Sequence, residues 1–390
     1  MKLYYDPWQE IWFQDGKNGK INFGKNRMRV PDIQGSGKYC FEMLNLEGNA
    51  GPLIGIMTSI TSKGNVKGNR SLFKKLQSEA LSKGGMTIVF PPEGLNGNQI
   101  SGHTYLNDKN EWIPIVTPLP HVVYNRVPLR KTEESLAYSQ ASSLFQEWNI
   151  PFFNPSFINK YELYKFVSSH PMLAPLMPET ILVNDMESLK DFFDRNKNIY
   201  LKPVLSSQGD GLYTLRLVKD NILELSSHTV KLEYSSFEDF WTAKSQKILD
   251  RHYIAQAEII PALLDGSRFD FRIHAHDSPE GYKVTGVGIR LSKKQSLTTH
   301  VPNGGIVIPY ERVRTKEHDK FFAWLVKEVG FLISRELGYF GEFSIDAGIT
   351  ERGNYVLYEV NSKPMSFDEE DIEQRKTSKI MELLFLKAGF

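Results

Sequence analysis

Tyr355-Val356-Leu357-Tyr358-Glu359-Val360-Asn361-Ser362-Lys363-Pro364 reads as a largely apolar strand that ends by aiming two oxygen-bearing side chains one way. Glu359 and Asn361 stand two apart, so on a strand both point to the same face. Upstream, Phe343-Ser344-Ile345-Asp346-Ala347-Gly348-Ile349 is a second apolar run, and Glu351, Arg352, Gly353 and Asn354 supply a turn that makes the two runs a hairpin. Such a hairpin brings Asp346, Glu359 and Asn361 to one point. Two carboxylates and an amide oxygen form the hard, all-oxygen set that suits magnesium, a cation usually held partly by substrate phosphates. Taken alone, the trio also reads as the polar end of an edge strand. A phosphate site elsewhere in the chain decides between the two.

Tyr200-Leu201-Lys202-Pro203-Val204-Leu205-Ser206-Ser207-Gln208-Gly209-Asp210-Gly211-Leu212-Tyr213 is a strand ending in a lysine, then a loop with two glycines and two serines, then a second strand. Gly209 and Gly211 let backbone amides approach an anion, and Ser206 and Ser207 add donors. The stretch is not the nucleotide-binding P-loop, because the lysine precedes the glycines and Gly-x-x-x-x-Gly-Lys-Ser/Thr is missing. By itself it is equally an ordinary hairpin turn.

Together and in this order, the two signals resemble the ATP-grasp superfamily, in which a lysine-bearing strand and a glycine loop cover the nucleotide and a later Glu-x-Asn holds magnesium. Asn159-Lys160-Tyr161-Glu162 opens a helix ahead of Pro175 and Pro178 and is similar to the family's lysine helix. Tyr253 to Ile260 resembles the hinge between the lobes, where the resemblance implies that Gln256, Ala257 and Glu258 meet the adenine edge. Phe269-Asp270-Phe271-Arg272-Ile273 matches the Asp-x-Arg strand of the glutamate ligases that modify ribosomal protein, and Val287-Gly288-Ile289-Arg290 with Pro302-Asn303-Gly304-Gly305 matches their arginine strand and glycine turn.

Within the superfamily the chain is similar to the YheC/YheD-like group of endospore coat-associated proteins, through Gly51-Pro52-Leu53-Ile54-Gly55-Ile56, the Gln-x-x-Ile segment at Gln256 and the Asp-Phe-Arg segment at Asp270. One departure stands out. Where relatives carry an asparagine before the glycine pair, this chain has Thr298-Thr299-His300; either His300 takes that place near the phosphates or the metal shell is altered.

Lysine and arginine number 47 against 46 acidic residues, which gives no support for general nucleic-acid or membrane-surface binding. A single cysteine, Cys40, excludes an intramolecular disulfide and makes a cysteine zinc cluster implausible, as expected of a reducing, cytoplasmic site of synthesis. The first residues lack the apolar core of a signal peptide, and no run reaches the ~20 apolar residues that span a bilayer.

The expected class is α/β, an ATP-grasp fold preceded by a Rossmann-like domain. Residues 1–50 read as a β-rich extension with short strands at Ile11-Trp12-Phe13 and Lys38-Tyr39-Cys40-Phe41. Residues 51–154 alternate strands at Leu53 to Met57, Met86 to Phe90 and His121 to Arg126 with helices across Ser71 to Ser82 and Glu133 to Trp148, a parallel α/β signature. Gly94, Gly97 and Gly102 are assigned to loops of this domain. Residues 155–255 form the small lobe, with a helix from Met186 to Arg195 and another begun at Phe237 under a Ser236 cap. Residues 256–390 form the large lobe, with a helix from Asp319 to Glu336 and a final charged region in which Asp368, Glu369, Glu370 and Asp371 are expected on a solvated face. A homodimer stays open, since no coiled-coil heptad or conspicuous apolar stripe marks an interface.

Burying the charges of ATP requires cations. The resemblance implies Lys160, Lys202, Arg290 and magnesium for that task, Asp270 at the ribose or in a magnesium-linked network, and Arg272 and Arg290 on the transferring phosphoryl group or a substrate carboxylate. It further implies activation of a carboxylate as an acyl phosphate, followed by attack of an amine or other nucleophile, with a peptide or spore-coat protein among the candidate substrates. Glu342 and His300 are candidate bases; His274 and His276 alternate with apolar or small residues on the Asp270 strand, as ordinary strand residues equally would, and stay outside the catalytic set. A nucleotide-binding coat-assembly protein without catalysis, and a kinase that stops at phosphoryl transfer, are the alternative functions.

Overall fold

The computed structural model describes residues 1–16, 19–205, 211–218, 222–227, 229–292 and 305–390. Leu53–Met57 and Met86–Phe90 are buried at all five positions, as parallel strands covered on both faces must be, and they pair in parallel with Leu53 opposite Met86. The crossover between them is the helix Arg70–Ser82, whose Asn69 cap accepts from the Leu72 amide and whose buried stripe is Leu72, Phe73, Leu76, Gln77 and Ala80. Val122–Asn125 adds in parallel on the far side of Leu53–Met57.

This sheet also contains a long antiparallel hairpin, Gln99–Leu106 with Glu111–Pro118, that the sequence reading passes over. Gly102 therefore lies inside a strand and not in a loop. A Cβ there would come within 2.5 Å of the Val89 carbonyl oxygen, so glycine is required by the close approach of the neighbouring strand. The single helix expected from Glu133 to Trp148 is two, Arg130–Glu133 and Leu136–Glu147, because Ser135 turns the chain and caps the second through the Tyr138 amide. Two small sheets from the first 51 residues share an apolar core with this region, built around Trp12, Phe23 and Phe41.

The next sheet runs in the order Thr180–Leu182, Tyr253–Ala257, Asn198–Pro203, Tyr213–Leu217, Leu223–Ser226 and Lys231–Tyr234. Its helix Phe237–Asp250 is capped by Ser236, as expected. The third large sheet runs Ile306–Ile308, Lys283–Leu291, Ser267–His276, Glu342–Ile349 and Tyr355–Asn361. Its apolar face carries Phe269, Phe271, Ile273, Phe343 and Ile345, and is covered by the helix Lys316–Leu337 through Phe322, Leu325, Val329 and Ile333. That helix starts three residues earlier than expected because Thr315 caps it at the His318 amide.

The final helix, Glu370–Ala388, packs Ile380, Met381, Leu384 and Phe385 into one cluster with Ile54, Leu72 and Val122 of the leading sheet. Asp368, Glu370 and Asp371 are exposed as expected, but Glu369 is not part of that solvated face. Its carboxylate lies over Gly288 on the Lys283–Leu291 strand. Among the described residues no helix is long and apolar enough to cross a membrane.

Replacing Gly102 by alanine forces a methyl group against the Val89 carbonyl, and the strand must move away. The expected cost is about 1–3 kcal/mol, to be read as a lower urea midpoint by tryptophan fluorescence; an unchanged midpoint would show that the strands separate freely there.

Candidate functional site

The chemistry of the third sheet follows from period-two alternation. With Phe269, Phe271, Ile273 and Ala275 turned into the apolar core, Arg268, Asp270, Arg272, His274 and His276 all face the other way. On the next strand Glu342, Ser344 and Asp346 share that face, and the final strand adds Glu359 and Asn361. The expected hairpin is present, with Asp346 opposite Glu359 and Ser344 opposite Asn361. Its register slips after Asp346, so that Leu357 faces Ala347 and Tyr358 is the extra, bulged residue. The bulge sits beside the oxygen trio, and Tyr358 packs its hydroxyl over Gly348.

Within the trio, the Asn361 amide donates from Nδ2 to Asp346 Oδ2 at 3.3 Å. Glu359 Oε1 accepts from Lys160 Nζ at 2.9 Å. Lys160 begins the helix Lys160–Ser168, whose Asn159 cap accepts from the Tyr161 and Glu162 amides and so fixes the lysine at the helix start. Lys202, on Asn198–Pro203, donates to Gln256 Oε1 at 2.6 Å, and Gln256 donates in turn to Thr180 Oγ1 at 3.0 Å. Burial pushes the Lys202 ammonium down to about 8; the nearby Glu359 carboxylate opposes the shift and Lys160 adds to it. Lys160, Lys202, Glu359, Asp346 and Asn361 are thus gathered from four separate elements.

The other expected residues are placed as follows. Asp270 and Arg290 are cross-strand partners, and Arg272 stands opposite Asp346. Arg272 is buried, with its guanidinium 5.4 Å from the centre of the Phe367 ring. Arg290 has the Glu369 carboxylate beside it, whose proton affinity is raised by burial and lowered by that arginine. The Glu258 carboxylate is held by Arg216, through Nε at 3.2 Å and through Nη2, and lies 3.9 Å from Arg268. The amides of Ala257 and Glu258 are engaged by the carbonyls of Glu179 and Asn198. An adenine edge would therefore have to use other atoms of this segment. Gly211 has φ +71°, and its carbonyl accepts from the Tyr253 hydroxyl at 3.0 Å. Ser206, Ser207, Gly209 and His300 lie outside the described residues.

Glu342 is not an accessible base. It is fully buried, and its Oε1 accepts from the Tyr124 hydroxyl and from Arg126 Nη1 at 3.1 Å, both from the leading sheet. Burial opposes its ionisation, but the Lys376 ammonium and the adjoining imidazoles outweigh this and hold the carboxyl well below the usual range. His274 and His276 adjoin it. The alternation Arg268, Asp270, Arg272, His274, His276 carried that signal, since it turns both imidazoles to the charged face. Arg126 also donates from Nη2 to the Pro364 carbonyl at 2.9 Å, and Lys363 Nζ donates to the Val127 carbonyl at 3.0 Å. The segment after Asn361 is thereby tied to the leading sheet.

Residues 149–390 match the family model of a YheC/D-like ATP-grasp domain. The chain is 29% identical over 331 residues to the endospore coat-associated protein YheD of Bacillus subtilis (strain 168), covering 80% of this chain and 73% of that protein. It is 21% identical over 282 residues to YheC of the same organism, covering 68% and 76%. Among solved structures, the ATP-grasp ligase PsnB complexed with minimal precursor superposes with a TM-score of 0.52 at 12% identity, over 86% of this chain and 99% of that one. D-alanyl-alanine synthetase A from Vibrio cholerae gives 0.52 at 10% identity, over 87% and 99%. At such identities these two likenesses are ones of fold.

The depressed Lys202 sets a pH dependence. An unfolded lysine titrates near 10.4, so between about 8 and 10.4 the unfolded chain holds the proton that the folded chain has released, and stability from this group rises with pH. Relative to Lys202→Met, the wild type is expected to gain up to about 3 kcal/mol across that window, measured by urea unfolding at a series of pH values. A flat difference would mean that Lys202 keeps an ordinary affinity for its proton.

Proposed function

Because the chain belongs to the YheC/D-like ATP-grasp family, we propose that it is an ATP- and magnesium-dependent carboxylate–amine ligase. The observation that carries this reading is the convergence of Lys160 and Lys202 on the Asp346, Glu359 and Asn361 oxygens. Magnesium fits this donor set, two carboxylates and an amide that presents its oxygen once turned, and when bound would neutralise phosphate charge. Lys160 and Lys202 are placed to hold phosphate oxygens. The Lys160–Glu359 pair is partly exposed, at 17% and 28% of the two side chains, and such pairs contribute only about 0–1 kcal/mol, so exchanging partners on nucleotide binding is cheap. Phosphoryl transfer depends mainly on this positioning and charge stabilisation, without a protein nucleophile.

In the proposed reaction a substrate carboxylate oxygen attacks the terminal phosphorus and ADP departs. An amine then attacks the acyl carbon, inorganic phosphate leaves with the bonding pair, and the amine proton passes to a base. Arg272 and Arg290 suit the carboxylate or the transferring phosphoryl group, since a guanidinium offers a two-pronged donor to either. Gln256 fixes Lys202, and Asp270, cross-strand from Arg290, suits a role at the ribose or in a magnesium-linked network. Association with the endospore coat is supported by the names of the relatives YheD and YheC; cytoplasmic synthesis and a peptide or coat-protein substrate belong to the same proposal.

Calorimetric titration of ATP with magnesium into the wild type and into Glu359→Ala/Asn361→Ala tests the reading, with circular dichroism to check folding. Magnesium-dependent binding is expected for the wild type and a loss of at least ~100-fold for the variant, the effect of removing two charge-bearing or metal-facing ligands. A well-folded wild type that binds no nucleotide would leave a coat-assembly scaffold; ADP release with a stable phosphorylated product in place of an amide would make the protein a kinase.

A further inference from the structure

His274, His276 and Glu342 form a second constellation on the charged face of the third sheet, separate from the Asp346, Glu359 and Asn361 trio. One ligand atom from each lies within 4.8 Å of the other two. Glu342 Oε2 is 3.2 Å from His274 Nε2 and 3.5 Å from His276 Nε2. Ligand atoms at ~2.0–2.1 Å from a tetrahedral zinc ion stand about 3.3 Å apart along the tetrahedron's edges, so both separations are those of two atoms sharing one cation. All three residues are buried, and among the described residues no hydrogen bond of good geometry joins Glu342 Oε2 to either Nε2 atom. Orphaned polar atoms at such depth are costly.

The surroundings orient these atoms as an outer shell would. Tyr124 and Arg126 occupy Glu342 Oε1, which leaves Oε2 as the oxygen turned toward the imidazoles. Opposite the histidine strand the register slips, so that His274 faces Gly286 and Ala275 faces Val284; Thr285 is the bulged residue between them. The bulge re-aims its hydroxyl to 2.7 Å from His276 Nδ1. With Nδ1–H donated to Thr285, Nε2 presents its lone pair inward, the usual support for a metal-bound histidine. Phe367 closes the other side, edge-on to His274 at 5.3 Å between ring centres.

We propose that His274, His276 and Glu342 supply three of the four ligands of a zinc ion, a water molecule completing the tetrahedron, and that this buried site serves the fold. The donor set of two imidazoles and one carboxylate favours zinc over magnesium or calcium, which take oxygen ligands. The ion would lock the Glu342 carboxylate against Tyr124 and Arg126. Arg126 in turn holds the Pro364 carbonyl, just beyond Asn361, so the zinc site buttresses the segment that follows the oxygen trio.

The experiment is zinc titration of the full-length protein, stripped with a chelator, against a chromophoric competitor, with cobalt absorption to report coordination. One equivalent is expected to bind with micromolar or tighter affinity, and cobalt to show the intense visible bands of a tetrahedral site. His276→Ala should abolish binding, and Thr285→Val, which removes only the supporting hydroxyl, should weaken it ~10–100-fold; Thr285→Val decides the matter if His276→Ala does not fold. Glu359→Ala/Asn361→Ala should keep the zinc. Absence of zinc binding by the wild type, or equal affinity in wild type and Thr285→Val, would overturn the proposal.

Discussion

The pairing of buried charges on one face of the third sheet is the constraint on which the rest of this molecule depends. The other face is apolar and sealed by the helix Lys316–Leu337. Alternation along three strands then forces arginines, carboxylates and imidazoles onto the opposite face, where leaving any of them dry and unpaired would cost several kcal/mol. The partners arrive from elsewhere: Lys160 from a helix before the six-stranded sheet that contains Thr180–Leu182, Tyr124 and Arg126 from the leading sheet, and Lys376 from the final helix.

These partners divide the face into two zones of different character. Around Glu359 the ion pair is partly exposed and weak, so breaking it costs little. Around Glu342 everything is buried and held from several sides, and removing one member would strand the others. The first zone suits exchange of ligands and the second suits fixation. Asn154 strengthens the second, donating from Nδ2 to the carbonyls of Glu342, at 2.8 Å, and Ser362, while its Oδ1 accepts from the Gly341 amide at 3.0 Å. One buried asparagine therefore joins both strands of the hairpin to the end of the leading sheet.

The final helix belongs energetically to two places. Its apolar residues complete the core of the leading sheet, while Lys376, paired with Glu373, acts on Glu342 of the third sheet. Glu373 Oε2 also accepts from the Phe367 amide at 3.0 Å, which seats the ring beside Arg272 and His274. The segment between Asn361 and the helix is thus held by the leading sheet through Arg126 and by the helix through Glu373.

The local geometry was legible in the sequence. The hairpin of Asp346 with Glu359 and Asn361, the Lys202 strand and the Ser236 cap follow from period-two alternation, turn residues and capping chemistry, all of which act over a few residues. Bulges at Thr285 and Tyr358 were not legible, because an extra residue in one strand shows only against its partner. Nor was the close approach that requires Gly102, since a glycine pressed against another strand reads like a glycine in a turn. By itself the sequence determined which side chains share a face. Only the tertiary structure decided what each one meets: Glu359 finds Lys160 from 199 positions away, and Glu342 finds Arg126 from 216. Side-chain direction is set by the local backbone, whereas partner choice depends on how distant sheets and helices pack, and no short-range pattern encodes that.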